Sequence, residues 1–117
     1  MTTRFGLSEA TIQKLCAVLA HYPQVEKAVL YGSRATGTYR NGSDIDLALF
    51  GDDLNLQTLC KIMNAIDDLM LAHSVDLVIF GQVSDPDLKA HIQQAGVVFY
   101  LRMEPPPAIE AAATLIG

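Results

Sequence analysis

The stretch Tyr31-Gly32-Ser33-Arg34-Ala35-Thr36-Gly37-Thr38-Tyr39-Arg40-Asn41-Gly42-Ser43-Asp44-Ile45-Asp46-Leu47 decides how the rest of the chain is read. Before it, Val25 to Tyr31 reads as a strand that stops at Gly32. After it, Asp44 to Phe50 reads as a second strand with strong alternation, stopped by Gly51. The polar loop from Arg34 to Ser43, with Gly37 and Gly42 inside it, joins the two. Side chains alternate faces along a strand, so Asp44 and Asp46 point one way while Ile45, Leu47 and Leu49 point the other. Two carboxylates roughly 7 Å apart on one strand face repel each other, and no basic residue lies between them. A cation relieves that repulsion. Magnesium suits it, as a hard ion that prefers carboxylate and phosphate oxygens.

A third carboxylate, Asp76, is the lone charge in the apolar run Val75-Asp76-Leu77-Val78-Ile79-Phe80, a third strand. Placed beside the strand 44–50, it falls about 5 Å to the side of Asp46. Three aspartates on neighbouring strands make a site for two metal ions, the arrangement used for in-line phosphoryl or nucleotidyl transfer. One ion would hold a triphosphate and the other would lower the pKa of an attacking hydroxyl. The third carboxylate is then placed to accept that proton. Gly32-Ser33 follows a strand and opens a short helix, where free N–H groups and the serine hydroxyl can hold a phosphate. Arg34 and Arg40 flank the loop and can neutralise triphosphate charge. The plain alternatives are a solvated edge charge for Asp76 and ordinary surface arginines for Arg34 and Arg40. Gly-Ser, ten residues and Asp-x-Asp fix four positions, a combination that chance supplies in about one chain in a thousand of this length.

Further out, Ser8 caps a helix carrying Ile12, Leu15, Cys16 and Leu19 at helical spacing, closed by Pro23. Asp52 and Asp53 suit the start of a helix with the apolar stripe Leu56, Leu59, Met63, Ile66 and Met70. Asp85-Pro86 begins another, with Leu88 and Ile92, ending near Gly96; Val97 to Arg102 reads as a fourth strand. Pro105-Pro106-Pro107 breaks the chain and leaves an apolar tail. The expected organisation is one domain over residues 1–104 and a tail, 105–117, as a docking segment for a partner. The fold class is α+β or α/β, a small mixed sheet with helices packed on it. The short connection between the first two main strands favours an antiparallel or mixed arrangement.

With 117 residues the chain has room for one compact domain. Half of it is apolar, and the mean hydropathy is +0.26, which excludes disorder. Thirteen acidic against eight basic residues give a net charge of −5, which disfavours non-specific nucleic-acid binding. No apolar run reaches membrane-span or signal-peptide length, so a soluble cytoplasmic protein is expected. Cys16 and Cys60 read as small buried thiols. His21, His73 and His91 have no mutual metal-ligand spacing and read as surface or helix-end residues.

Gly32, Ser33, Asp44, Asp46 and Asp76 together resemble the signature of the DNA polymerase beta-type nucleotidyltransferase superfamily, and Gly42-Ser43-Asp44-Ile45-Asp46-Leu47 is especially close. The short length is similar to its minimal nucleotidyltransferase branch. The resemblance implies two magnesium ions on Asp44, Asp46 and Asp76, with Gly32, Ser33, Arg34, Arg40 and Ser43 at the nucleotide. It further implies ATP as substrate and a small all-helical HEPN partner, often a ribonuclease toxin whose tyrosine the antitoxin modifies with AMP. Two other functions fit the same residues: a catalytic subunit for small-molecule nucleotidylation with a separate substrate-binding chain, and a non-catalytic module that blocks its partner. The intact motif argues against the last.

Overall fold

The computed structural model describes residues 3–103. A two-residue-stranded hairpin, β1 (Thr3–Arg4) and β2 (Leu7–Ser8), leads into α1 (Glu9–His21). Then come β3 (Lys27–Tyr31), the single-turn α2 (Ser33–Thr36) and β4 (Ile45–Phe50). α3 (Leu56–Asp67) crosses to β5 (Val75–Ile79), and a 3-10 turn (Phe80–Gln82) precedes α4 (Pro86–Ala95) and β6 (Val97–Leu101). The main sheet has the order β5-β4-β3-β6. β3 runs antiparallel to both β4 and β6, while β4 and β5 are parallel. This is an α+β mixed sheet, as the connection lengths require: a short loop reverses the chain between β3 and β4, and a helical crossover keeps β4 and β5 parallel. The initial hairpin was not expected from the sequence.

One face of the sheet is the main core. Ala28, Leu30, Ile45, Leu47, Leu49, Leu77 and Ile79 meet Ile12, Leu15 and Leu19 of α1 and Ile62 and Ile66 of α3. The opposite face carries the alternate residues, and α4 covers only part of it: Ile92 is buried with Val29, Tyr31 and Ala48, and Leu88 packs beside them. On that face Asp46 is half-buried and Asp76 exposed. Among the described residues no helix is long and apolar enough to cross a membrane.

Several expected details change. α1 starts where expected, with Ser8 Oγ accepting the Thr11 N–H at 3.1 Å. α3 is capped by Asn55, not by Asp52 or Asp53: Asn55 Oδ1 accepts the Thr58 N–H at 2.9 Å. Its buried face is Thr58, Ile62 and Ile66, with Leu59 half-buried, while Leu56, Met63 and Met70 of the expected stripe are exposed. The strip that meets the sheet is thus turned away from the methionines. Cys60 is exposed and Cys16 only half-buried, so neither is a fully buried thiol. Strand β4 begins at Ile45, which leaves Asp44 in the loop. The tail expected to dock a partner lies outside the described residues.

Candidate active site

Strand register builds the site. Tyr31, Asp46 and Asp76 form one row across three strands: Asp46 pairs with Tyr31 of β3 on one side and with Asp76 of β5 on the other. Neighbouring strands lie about 4.8 Å apart, so the two carboxylates are lateral neighbours on the open face. Asp44 stands exposed just before β4. Crowding is visible in the acid–base balance. Burial, then Asp76 and Asp44, push the Asp46 carboxyl above its usual range. Burial, then Asp46 and Asp76, push the Tyr31 phenol up to about 12, so it stays a neutral donor. Carboxylates so close, with Arg34 turned away from them, fit a divalent cation. Among the described residues, however, no three His, Cys, Asp or Glu side chains come together in a group that could hold a metal ion. The register pairs two carboxylates, Asp46 and Asp76, and magnesium is commonly held by one or two carboxylates together with substrate phosphates.

Gly32 makes the turn beside this row. Its φ of +77° is a conformation that residues with a side chain rarely adopt, and a Cβ there would stand 2.6 Å from Asp46 Oδ2. Both facts require glycine. The Gly32 carbonyl accepts the N–H groups of Ala35 and Thr36 at 3.1 Å each, which folds Ser33–Thr36 into its single helical turn. Among the described residues, the Ser33 and Arg34 N–H groups and the Ser33 hydroxyl have no hydrogen-bond partner. They can receive an anion next to the carboxylates.

The side chains of two residues expected at the nucleotide are engaged within the scaffold. Arg34 is 2% exposed. Its guanidinium donates to the Ser43 carbonyl from Nε (3.2 Å) and Nη2 (2.9 Å) and to the Phe5 carbonyl from Nη1 (2.9 Å). Nη2 also lies 3.3 Å from His73 Nδ1, and the group stacks over Tyr39. A fork engaged on three sides braces the loop and the N-terminal hairpin. Ser43 Oγ accepts the Arg40 N–H at 2.8 Å, and the Ser43 N–H returns to the Arg40 carbonyl, so this hydroxyl closes a turn. Arg40 itself is exposed on the loop. The structure also brings in residues that the sequence reading left aside. Strand alternation places Tyr31 on the carboxylate face, a signal present in the sequence. His91 reaches the Gly32 N–H at 3.4 Å from α4, and His73 reaches Arg34, which no spacing reveals.

A mixed sheet with carboxylates side by side on two parallel strands, next to a Gly-Ser turn at the end of a third, is the layout of a nucleotidyltransferase fold. The chain belongs to the "Polymerase beta, Nucleotidyltransferase" family, whose model matches residues 13–105. No curated protein matches the sequence. Solved structures with the same fold include a toxin–antitoxin complex with AMP-PNP (22% identity, TM-score 0.63, covering 94% of this chain and 88% of that one). A second is a tri-AMPylated Shewanella oneidensis HEPN toxin with its MNT antitoxin (17%, 0.61, covering 92% and 86%). A third is the MntA–HepT toxin–antitoxin (17%, 0.60, covering 93% and 87%). The fold of this chain is thus that of a minimal nucleotidyltransferase.

Proposed function

We propose that this chain moves AMP from ATP to a hydroxyl of a partner protein, as the antitoxin of a HEPN/MNT-type pair. The observation that carries the reading is the lateral pairing of Asp46 with Asp76 beside the Gly32-Ser33 turn, in a chain of the nucleotidyltransferase family. The likeness to toxin–antitoxin complexes, one with AMP-PNP and one with an AMPylated HEPN toxin, supports ATP and a HEPN partner. Asp44, Asp46 and Asp76 would hold magnesium, which when bound offsets triphosphate charge and organises an in-line displacement. Ser33, through its hydroxyl and N–H, and the Arg34 N–H orient the phosphate chain. Arg40, exposed on the loop, supplies positive charge to it. An acceptor hydroxyl forms a bond to the α-phosphorus as the bond to the β-phosphate oxygen breaks and pyrophosphate departs. The acceptor proton passes to Asp76.

The test uses the chain purified with the product of the neighbouring gene, with ATP and magnesium, and reads intact masses. One or more AMP increments on the partner, lost in Asp46→Asn, are expected. AMP on an added small molecule and none on the partner would favour a small-molecule transferase. A stable complex with no transfer would reduce the chain to a blocking module.

A further inference from the structure

The helix α4 ends its work on the sheet at the rim of the site, and we infer that His91 is a positioning residue for the nucleotide: its imidazole holds the Gly32 peptide in the left-handed conformation that aims the Ser33 turn. This rests on the proposed function, because it assigns the Ser33 turn to the phosphates.

The helix that carries the imidazole is fixed at both ends and in its middle. The Asp85 carboxylate accepts the Asp87 N–H at 2.9 Å and starts α4, with Pro86 in its first turn. At the other end Gly96 lies so close to β3 that a Cβ would stand 2.4 Å from Val29 Cγ1 and 2.2 Å from the Ile92 carbonyl oxygen. Ile92, 2% exposed, locks the intervening turn onto Val29, Tyr31 and Ala48. His91, the preceding residue, is itself exposed, yet its ring meets the Tyr31 ring edge-on at 6.3 Å and 82°. Nε2 accepts the Gly32 N–H at 3.4 Å, which requires the tautomer with the proton on Nδ1.

Gly32 is therefore gripped from two directions. Asp46 lies against its α-carbon, and His91 holds its amide. With that N–H engaged, the donors left for an anion at this turn are the N–H groups of Ser33 and Arg34 and the Ser33 hydroxyl. A glycine has the widest backbone freedom of any residue, so without a partner for its amide the turn would sample other orientations. Nucleotide would then have to reorganise the turn as it binds. Because His91 is exposed, its removal leaves the core of α4 in place.

The experiment compares wild type, His91→Ala, His91→Gln and His91→Leu by amide hydrogen exchange at Gly32 and by calorimetric titration with AMP-PNP and magnesium. Gln retains an acceptor at similar reach, while Leu keeps bulk without one. Faster Gly32 exchange is expected in the Ala and Leu variants, with affinity weaker by about three- to tenfold, the worth of one hydrogen bond. Gln is expected to restore both. With transfer measured, KM for ATP rises in the Ala variant while kcat changes less. Unchanged Gly32 exchange in His91→Ala overturns the inference, and so does unchanged affinity or a Gln variant as impaired as Leu. Wild type that binds no nucleotide overturns the proposed function instead, a result distinct from variants that bind as wild type does.

Discussion

Asp46 sits between Tyr31 and Asp76, and its burial and like-charged neighbours hold its proton more tightly than in the unfolded chain. Above its ordinary value of 3.8 the folded state therefore binds more protons than the unfolded one. Stability of the metal-free protein falls as pH rises through that window and does not recover above it. Asp46→Asn removes the repulsion. It is expected to melt higher than wild type at neutral pH, with the difference shrinking toward about pH 4, as thermal scans without metal would record. Asp76→Asn should likewise stabilise the metal-free protein while abolishing transfer. An active Asp76→Asn would place that residue outside the site. Gly32→Ala forces a side chain into a left-handed backbone and against Asp46 Oδ2, and should cost about 1–3 kcal/mol in denaturant unfolding. Arg34→Lys keeps the charge but cannot span the Ser43 and Phe5 carbonyls, so a loss of about 2–4 kcal/mol is expected. Such a loss without a matching change in nucleotide affinity would mark Arg34 as a brace; an affinity loss alone would restore it to the nucleotide.

The elements show where a sequence is a good guide. Alternation along 44–50 placed Asp46 opposite Leu47, and the isolated charge of Asp76 marked β5, because strand periodicity admits only two faces. The expected lateral pairing of the two carboxylates is the observed register. Helix starts were harder. Asp52, Asp53 and Asn55 are all competent caps, and only the one whose oxygen meets an N–H three residues on, Asn55, fulfils the role. Asn55→Ala should lower stability by about 1 kcal/mol, whereas Asp52→Ala should stay within about 0.5 kcal/mol. The same uncertainty hid the buried face of α3, since Leu59 and Ile66 fit either stripe. The long-range contacts of Arg34 with Phe5 and His73, and of His91 with Gly32, depend on how the hairpin and α4 pack, which local periodicity does not encode. Ile92→Ala is expected to cost about 2–4 kcal/mol and to loosen α4 from the sheet.

Taken whole, the molecule is acidic, with a net charge of −5, and concentrates part of that charge on one open sheet face. Ligands that bind only the native state stabilise it by mass action. Magnesium with AMP-PNP at a hundredfold excess over Kd should add about 2.7 kcal/mol, a shift of several degrees in Tm. Asp46→Asn should lose most of that shift, and an equal shift in wild type and variant would remove Asp46 from the ligand site. The mixed topology also orders events in time. β3 and β4 are joined by a short loop, whereas β5 must be brought alongside β4 through the whole of α3. Contacts distant along the chain generally form later than local ones. A refolding chain that has recovered its helices and its β3–β4 pair still has Asp46 without Asp76 at its side. Nucleotide affinity therefore returns later than the β3–β4 pairing, and its recovery after dilution from denaturant should lag behind the circular-dichroism signal of the helices.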